Sequence, residues 1–173
     1  MGARTLISDL DYISKLWHDR PSLRTDKVWL MDEKYTGESY ESKINRLRDL
    51  MEINGYDYYF LGAIEDICWL LNIRGNDIDY CPVTLSYILI SKDKVNLCID
   101  ENKLDDKIRA YLEENEIKVY PYDHIFTLIK NIPGKNRIFL DPERTNVAIY
   151  DSINSNVKIS MGINITENMK AIK

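Results

Sequence analysis

The chain has 173 residues, 45% hydrophobic and 29% charged, which excludes disorder and collagen-like repetition and suits one domain that buries a core without a disulfide or metal staple. Its 28 acidic residues outnumber 23 basic ones, and the net charge of −5 argues against nucleic acid or an anionic membrane as main partner, since both demand a basic face. Three cysteines (Cys68, Cys81 and Cys98) form no closed disulfide set and match no zinc spacing, so free thiols are expected.

In chain order, Leu6, Leu10, Ile13, Leu16 and Trp17 recur at three- and four-residue steps and predict a helix over 5–17, stopped by Pro21. Residues 18–38 read as a linker or extended strap, so 1–38 precedes the domain proper. Ser39 as N-cap, the stripe Ile44, Leu47, Leu50 and Met51, and Gly55 as left-handed C-cap predict a helix over 40–54. Tyr58-Tyr59-Phe60-Leu61 predicts a buried strand ended by Gly62, and a helix is expected over 63–73. Gly75, Asn76 and Asp77 form a loop closed by Pro82. Residues 83–91 and 95–100 flank Lys92-Asp93-Lys94 as a hairpin.

After the hairpin, helix and strand alternate three times: helix 103–115 with Leu104, Ile108 and Leu112 on one side, strand 118–120, helix 123–130, strand 137–140, a helix from Thr145 to about 153, and strand 157–160. This order implies the α/β class, with a mixed β-sheet flanked by helices. The domain proper spans 39–162. Thr166 is placed to cap a helix that the sequence only begins, so 163–173 reads as the start of a truncated connection to a further domain.

No run of about 18 apolar residues exists, the amino terminus lacks a signal peptide, and Met1-Gly2 has Leu6 where a myristoylation site wants Ser or Thr. A cytoplasmic protein with no membrane and no nucleic-acid partner is expected. Asn164-Ile165-Thr166 is a formal glycosylation sequon, a pattern short enough to arise by chance.

Only two histidines, His18 and His124, are available as bases or ligands, and both suit surface or packing roles. No glycine-rich phosphate loop is present. Acidic pairs occur at Glu65-Asp66, Asp100-Glu101 and Asp105-Asp106. Asp100 and Asp141 each end a predicted strand, where a ribonuclease-H-like two-cation site would place them. Strand-end turns and helix caps account for the same carboxylates. The segment from Asp66 to Ile78 is different: Trp69, Arg74, Asn76 and Asp77, followed by Tyr80, put an aromatic ring, a cation, an amide and a carboxylate on one turn, as recognition surfaces do. A structural account stands beside it, in which Arg74 pairs with Asp66 or Asp77 and Gly75 caps the helix.

Trp69-Leu70-Leu71-Asn72-Ile73-Arg74-Gly75-Asn76-Asp77-Ile78, then Pro82-Val83 and Ser86-Tyr87, resembles the signature of the central domain of Xaa-Pro aminopeptidases (aminopeptidase P). Asp19-Arg20-Pro21, Tyr35-Thr36-Gly37-Glu38-Ser39 with Lys43-Ile44 and Arg48, and the terminal Asn168-Met169-Lys170-Ala171-Ile172-Lys173 are similar to the same family in order, while the match over 101–160 is only general. The resemblance implies a creatinase/prolidase-type α/β domain that is itself non-catalytic, with no catalytic residue, metal ligand or cofactor of its own. It further implies a downstream "pita-bread" metallopeptidase domain, whose two divalent ions, commonly manganese, are held by two Asp, one His and two Glu. The partners so implied are that C-terminal catalytic domain, short proline-containing peptides, and a second subunit in the parent. Trp69, Arg74, Asn76, Asp77 and Tyr80 are the candidate substrate-facing residues. A stand-alone binding or dimerising module is the alternative.

Overall fold

The computed structural model describes residues 12–171. Among them, α1 (Tyr12–Leu16) leads into a strap that forms β1 (Trp29–Leu30) and turns through α2 (Glu33–Thr36) into α3 (Tyr40–Asn54). β2 (Tyr58–Leu61), α4 (Ile64–Leu70), β3 (Ile73–Arg74) and the hairpin of β4 (Ser86–Ser91) and β5 (Val95–Ile99) follow. The chain then alternates through α5 (Asp106–Glu114), β6 (Ile117–Tyr120), α6 (Ile125–Lys130), β7 (Arg137–Leu140), α7 (Val147–Asp151), β8 (Lys158–Met161) and α8 (Ile165–Ala171). The part of the first expected helix over 5–11, the Met1-Gly2 start and the final Ile172-Lys173 lie outside the described residues.

The best-defined local signal is α3. The Ser39 hydroxyl accepts the Ser42 N–H at 3.2 Å, and Gly55, at φ 69°, sends its N–H back to the Met51 and Glu52 carbonyls. Both helix ends thereby satisfy backbone groups that would otherwise lack partners. A Cβ on Gly55 would meet nothing closer than 4.0 Å, so the left-handed backbone, not crowding, is what calls for glycine.

The main sheet runs β6-β5-β4-β2-β7-β8. β4 pairs antiparallel with β2 and β5, while β5/β6, β2/β7 and β7/β8 are parallel. The sheet is mixed and flanked by helices, as the element order implies. Its central strands are covered on both faces, which is why they read as unbroken apolar runs. Tyr59 and Leu61 turn to a first layer made by α3, α4, α5 and α8, which contribute Ile44, Leu47, Ile67, Ile108 and Met169. Phe60, between them, turns to a second layer with Ile125, Ile129 and Ile149 from α6 and α7. The three cysteines are free; burial pushes the Cys68 thiol up to about 11 and Cys98 to about 12, while Cys81 is exposed.

Several expectations are corrected. The helix expected over 63–73 stops at Leu70, because Asn72 adopts φ 52° and Ile73-Arg74 turn away to pair with Leu30 and Trp29. The strap over 18–38 is therefore not merely extended, since it carries a strand and a helical turn. The helix expected from 103 begins at Asp106: Asp100 caps a single 3-10 turn through Asn102 N–H (3.0 Å), and Asp105 then caps α5 through Ile108 N–H (2.9 Å). Asn146, not Thr145, caps α7, and the Thr145 hydroxyl donates instead to the Asp141 carbonyl at 2.6 Å. Thr166 lies inside α8 and is buried.

Candidate recognition loop

The loop at 74–80 starts where α4 ends. With Asn72 in the left-handed region, the chain reverses into β3, and Arg74 folds back so that its Nη1 donates to the carbonyls of Cys68 (2.9 Å) and Ile73 (2.7 Å). Arg74 thus binds backbone oxygens rather than the Asp66 or Asp77 carboxylate, which corrects the structural account of this residue. Gly75 is not a helix cap either. A Cβ there would stand 2.8 Å from Thr84 Cβ and 3.0 Å from the Val83 carbonyl oxygen, so glycine permits a close approach of two backbones.

Asp77 points inward. Its Oδ2 accepts from the Lys103 ammonium, from Leu85 N–H at 2.6 Å and from Thr84 Oγ1 at 3.0 Å. The two charged side chains are 1% and 3% exposed, a pair almost wholly removed from water, and Asp77 Oδ1 is buried without a hydrogen-bond partner. From the strap, Arg24 donates to the Asn76 carbonyl at 3.0 Å and pairs with Asp79 at 2.6 Å. An isolated bridge between Ile78 and Cys81 closes the tip, where Tyr80 holds φ 63° with its side chain fully in solvent. A positive φ costs a non-glycine residue about 1 kcal/mol or more and persists only where its surroundings dictate it. The loop thus has a fixed base and an exposed tip.

Trp69 sits elsewhere. The Lys43 ammonium stands 4.6 Å from its ring centre and donates to the Trp69 carbonyl (2.8 Å) and to Asn72 Oδ1 (2.5 Å). Lys43 is fully buried, and loss of hydration lowers its pKa to about 8. Trp69 lines a groove of about 580 Å³ with Tyr35, Arg46 and Lys170. Among the described residues no hydrogen bond or ion pair joins any two of Trp69, Arg74, Asn76, Asp77 and Tyr80: Asn76 and Tyr80 face solvent, Arg74 and Asp77 brace the loop, and Trp69 borders the groove. A larger groove, about 930 Å³, opens by the hairpin turn at the opposite end of the sheet, and none of the five lines it.

The two-cation reading of Asp100 and Asp141 does not survive the sheet order. β5 and β7 are separated by β4 and β2, so the strand ends lie three spacings apart, about 14 Å, too far to share a metal site. Each carboxylate serves locally: Asp100 caps a turn, and Asp141 accepts from Glu143 N–H (2.9 Å) and Asn164 N–H (3.0 Å). Among the described residues no group of three or more His, Cys, Asp and Glu side chains is placed to hold a metal ion. Sequence reasoning missed Lys43 and Lys103 as buried cations. Lys43 had a visible signal, because it shares the helical face of Tyr40, Ile44, Leu47 and Met51; Lys103 had none.

The sequence profile of the creatinase/prolidase N-terminal domain matches residues 19–173. The chain belongs to this family. Among its relatives, Xaa-Pro aminopeptidase 1 of Dictyostelium discoideum is 34% identical over 134 residues, covering 77% of this chain and 21% of that protein. Xaa-Pro aminopeptidase app-1 of Caenorhabditis elegans is 33% identical over 144 residues, covering 79% and 23%. The crystal structure of X-prolyl aminopeptidase from C. elegans, described as a cytosolic enzyme with a di-nuclear active site, superposes with a TM-score of 0.85 at 30% identity over 94% of this chain and 28% of that one. The N-terminal domain of cytoplasmic peptidase PepQ from Mycobacterium tuberculosis, at 12% identity and a TM-score of 0.55 over 74% of this chain and 98% of that one, shares the fold. The resemblance carried by Trp69 to Ile78 is borne out. This creatinase/prolidase-type domain spans about a fifth of the length of the curated relatives it matches. Among the described residues no helix is long and apolar enough to cross a membrane.

Proposed function

We propose that the chain is a non-catalytic accessory domain of a cytosolic, metal-dependent aminopeptidase that removes N-terminal residues preceding proline. The observation that carries this reading is the pair of coverages: the relatives align over more than three quarters of this chain but under a quarter of their own length. In this reading the activity belongs to sequence outside the alignment. Residues 39–162 serve as the α/β domain, 1–38 as its helix and strap, and 163–173 as the start of the connection to a catalytic domain. The two divalent ions, manganese in our reading, belong to that catalytic domain, in keeping with the di-nuclear active site described for the C. elegans enzyme. No step of the reaction runs through residues described here.

The part we assign to this domain is to wall the cleft, limiting access to short proline-containing peptides, and to support assembly, including a dimer of the parent. The loop at 74–80 is the segment we place toward the cleft. Asn76 and Tyr80 are the groups it offers, Arg74 and Asp77 stiffen it, and Trp69 borders its support. A loop whose base is fixed and whose tip is exposed suits contact without reorganisation.

Assay of Xaa-Pro dipeptide and tripeptide hydrolysis with added manganese tests the reading. The 173-residue chain is expected to be inactive, and a longer protein carrying the downstream catalytic domain is expected to be active. Turnover by the 173-residue chain alone overturns the accessory role.

A further inference from the structure

The last helix is not held by apolar packing alone. α8 presents Thr166, Met169 and Lys170, at positions i, i+3 and i+4, to one side. Met169 enters the core of the first layer. The other two close on Asp66 in the first turn of α4. Thr166 Oγ1 donates to Asp66 Oδ2 at 2.6 Å, and the Lys170 ammonium pairs with Oδ1. Asp66 is 2% exposed and Thr166 0%, so both carboxylate oxygens are engaged inside the protein.

The same hydroxyl is tied to the sheet. Tyr59 OH lies 3.3 Å from Thr166 Oγ1 and donates to Asn164 Oδ1 at 3.1 Å, and Asn164 N–H donates to Asp141 Oδ2 at 3.0 Å. One buried polar network therefore joins α4, β2, the end of β7 and α8. Apolar contact is non-directional and lets a helix slide or roll, whereas hydrogen bonds fix rotation and register. A helix of seven residues has no stability of its own, so its direction is set by what it docks on.

We propose that Asp66 is a positioning residue: through Thr166 and Lys170 it fixes the direction in which the polypeptide leaves this domain. In the accessory-domain reading, on which the functional half of this proposal rests, that direction sets how the catalytic domain meets the loop at 74–80. The structural half stands on the clasp alone.

Nitroxide labels at Glu113→Cys on α5 and Asn168→Cys on α8, both exposed positions, in a background where exposed Cys81 is replaced by Ser, report the clasp by pulsed electron paramagnetic resonance. The unmutated clasp gives a narrow distance distribution. Thr166→Val and Asp66→Asn broaden it, Thr166→Ser restores it, Lys170→Met broadens it too, and the double variant Asp66→Asn with Lys170→Met, which leaves no buried charge without its counter-charge, broadens it even if the single variants fail to fold. Distributions as narrow as the parent's in Thr166→Val and Lys170→Met overturn the proposal. In the longer protein, Thr166→Val lowers kcat/KM for an Xaa-Pro peptide roughly tenfold or more, and Thr166→Ser recovers it. Unchanged kcat/KM alongside broadened distances overturns the positioning role. An unmutated longer protein that hydrolyses no Xaa-Pro peptide overturns the accessory-domain reading instead, and the label distances then decide the clasp by themselves.

Discussion

The two faces of the sheet are held in different ways. On the second face, α6 and α7 rest through Ile125, Ile129 and Ile149 on Phe60, Leu89, Ile138 and Leu140, with aliphatic and aromatic groups that fill space without prescribing direction. The first face is apolar too, yet its helices carry buried polar groups: Lys43 on α3, Asp66 on α4 and Thr166 on α8. The Asp77–Lys103 pair braces the loop that follows α4 and β3. Burying such groups costs free energy unless every one finds a partner, so they mark where the fold needs a fixed geometry rather than mere cohesion. Those places are the turn after α4, the base of the exposed loop, and the docking of α8.

The buried polar groups of the first face carry most weight at Asp77. Asp77→Ala leaves Lys103 buried without its counter-charge and should cost about 3–5 kcal/mol in urea unfolding; a loss below about 1 kcal/mol would mean that the pair has no structural weight. On the plain face, Ile149→Ala removes fully buried methyl groups and should cost about 2–4 kcal/mol through lost transfer energy and a cavity, with no change in the pH dependence of stability.

Lys43→Met tests the polar face differently. It strips a donor from the Trp69 carbonyl and Asn72 Oδ1, for about 1–3 kcal/mol near neutral pH. Its pH dependence has a definite sign. The folded pKa of Lys43 is about 8, below the ordinary 10.5, so between these values the unfolded chain binds more protons at this site than the folded one. Stability from this group therefore rises with pH over that window. The parent should gain on Lys43→Met as pH goes from 8 to 10 in paired urea titrations, and parallel curves would show that Lys43 titrates normally. Tyr80→Ala has the smallest effect on folding, within about 0.5 kcal/mol, because the side chain touches nothing. In the longer protein it should weaken Xaa-Pro cleavage if the tip meets the cleft, and an unchanged kcat/KM would remove Tyr80 from the candidate set.

How far the sequence could be read followed from how local each signal is. Ser39, the Ile44-Leu47-Met51 stripe and Gly55 define α3 at both ends, because caps and helical spacing act within a few residues. The strands Tyr58–Leu61 and Arg137–Leu140 were equally plain, being short apolar runs bounded by turn residues. The end of α4 was not. Leu70 to Ile73 are apolar enough to continue a helix, and only the pairing of Ile73-Arg74 with the strap, more than 40 positions away in the chain, draws them out of it.

At the candidate loop, residue types alone could not say whether Arg74 and Asp77 face solvent, because both carry charge. Asp77 is buried since Lys103, 26 positions later, arrives to neutralise it, and Arg74 turns to the Cys68 carbonyl of α4 and to the carbonyl of Ile73 beside it. The sequence by itself determined the order of the six main-sheet strands and the helices between them, the two-sided burial of the central strands and the likeness to the family, all of which are written in spacing and motif over short stretches. Tertiary structure alone decided that Asp66, Asp77 and Lys103 go inside, which carboxylates are too far apart to act together, and how α8 is held. These depend on partners brought from distant positions, and a buried charge is tolerable only where such a partner stands.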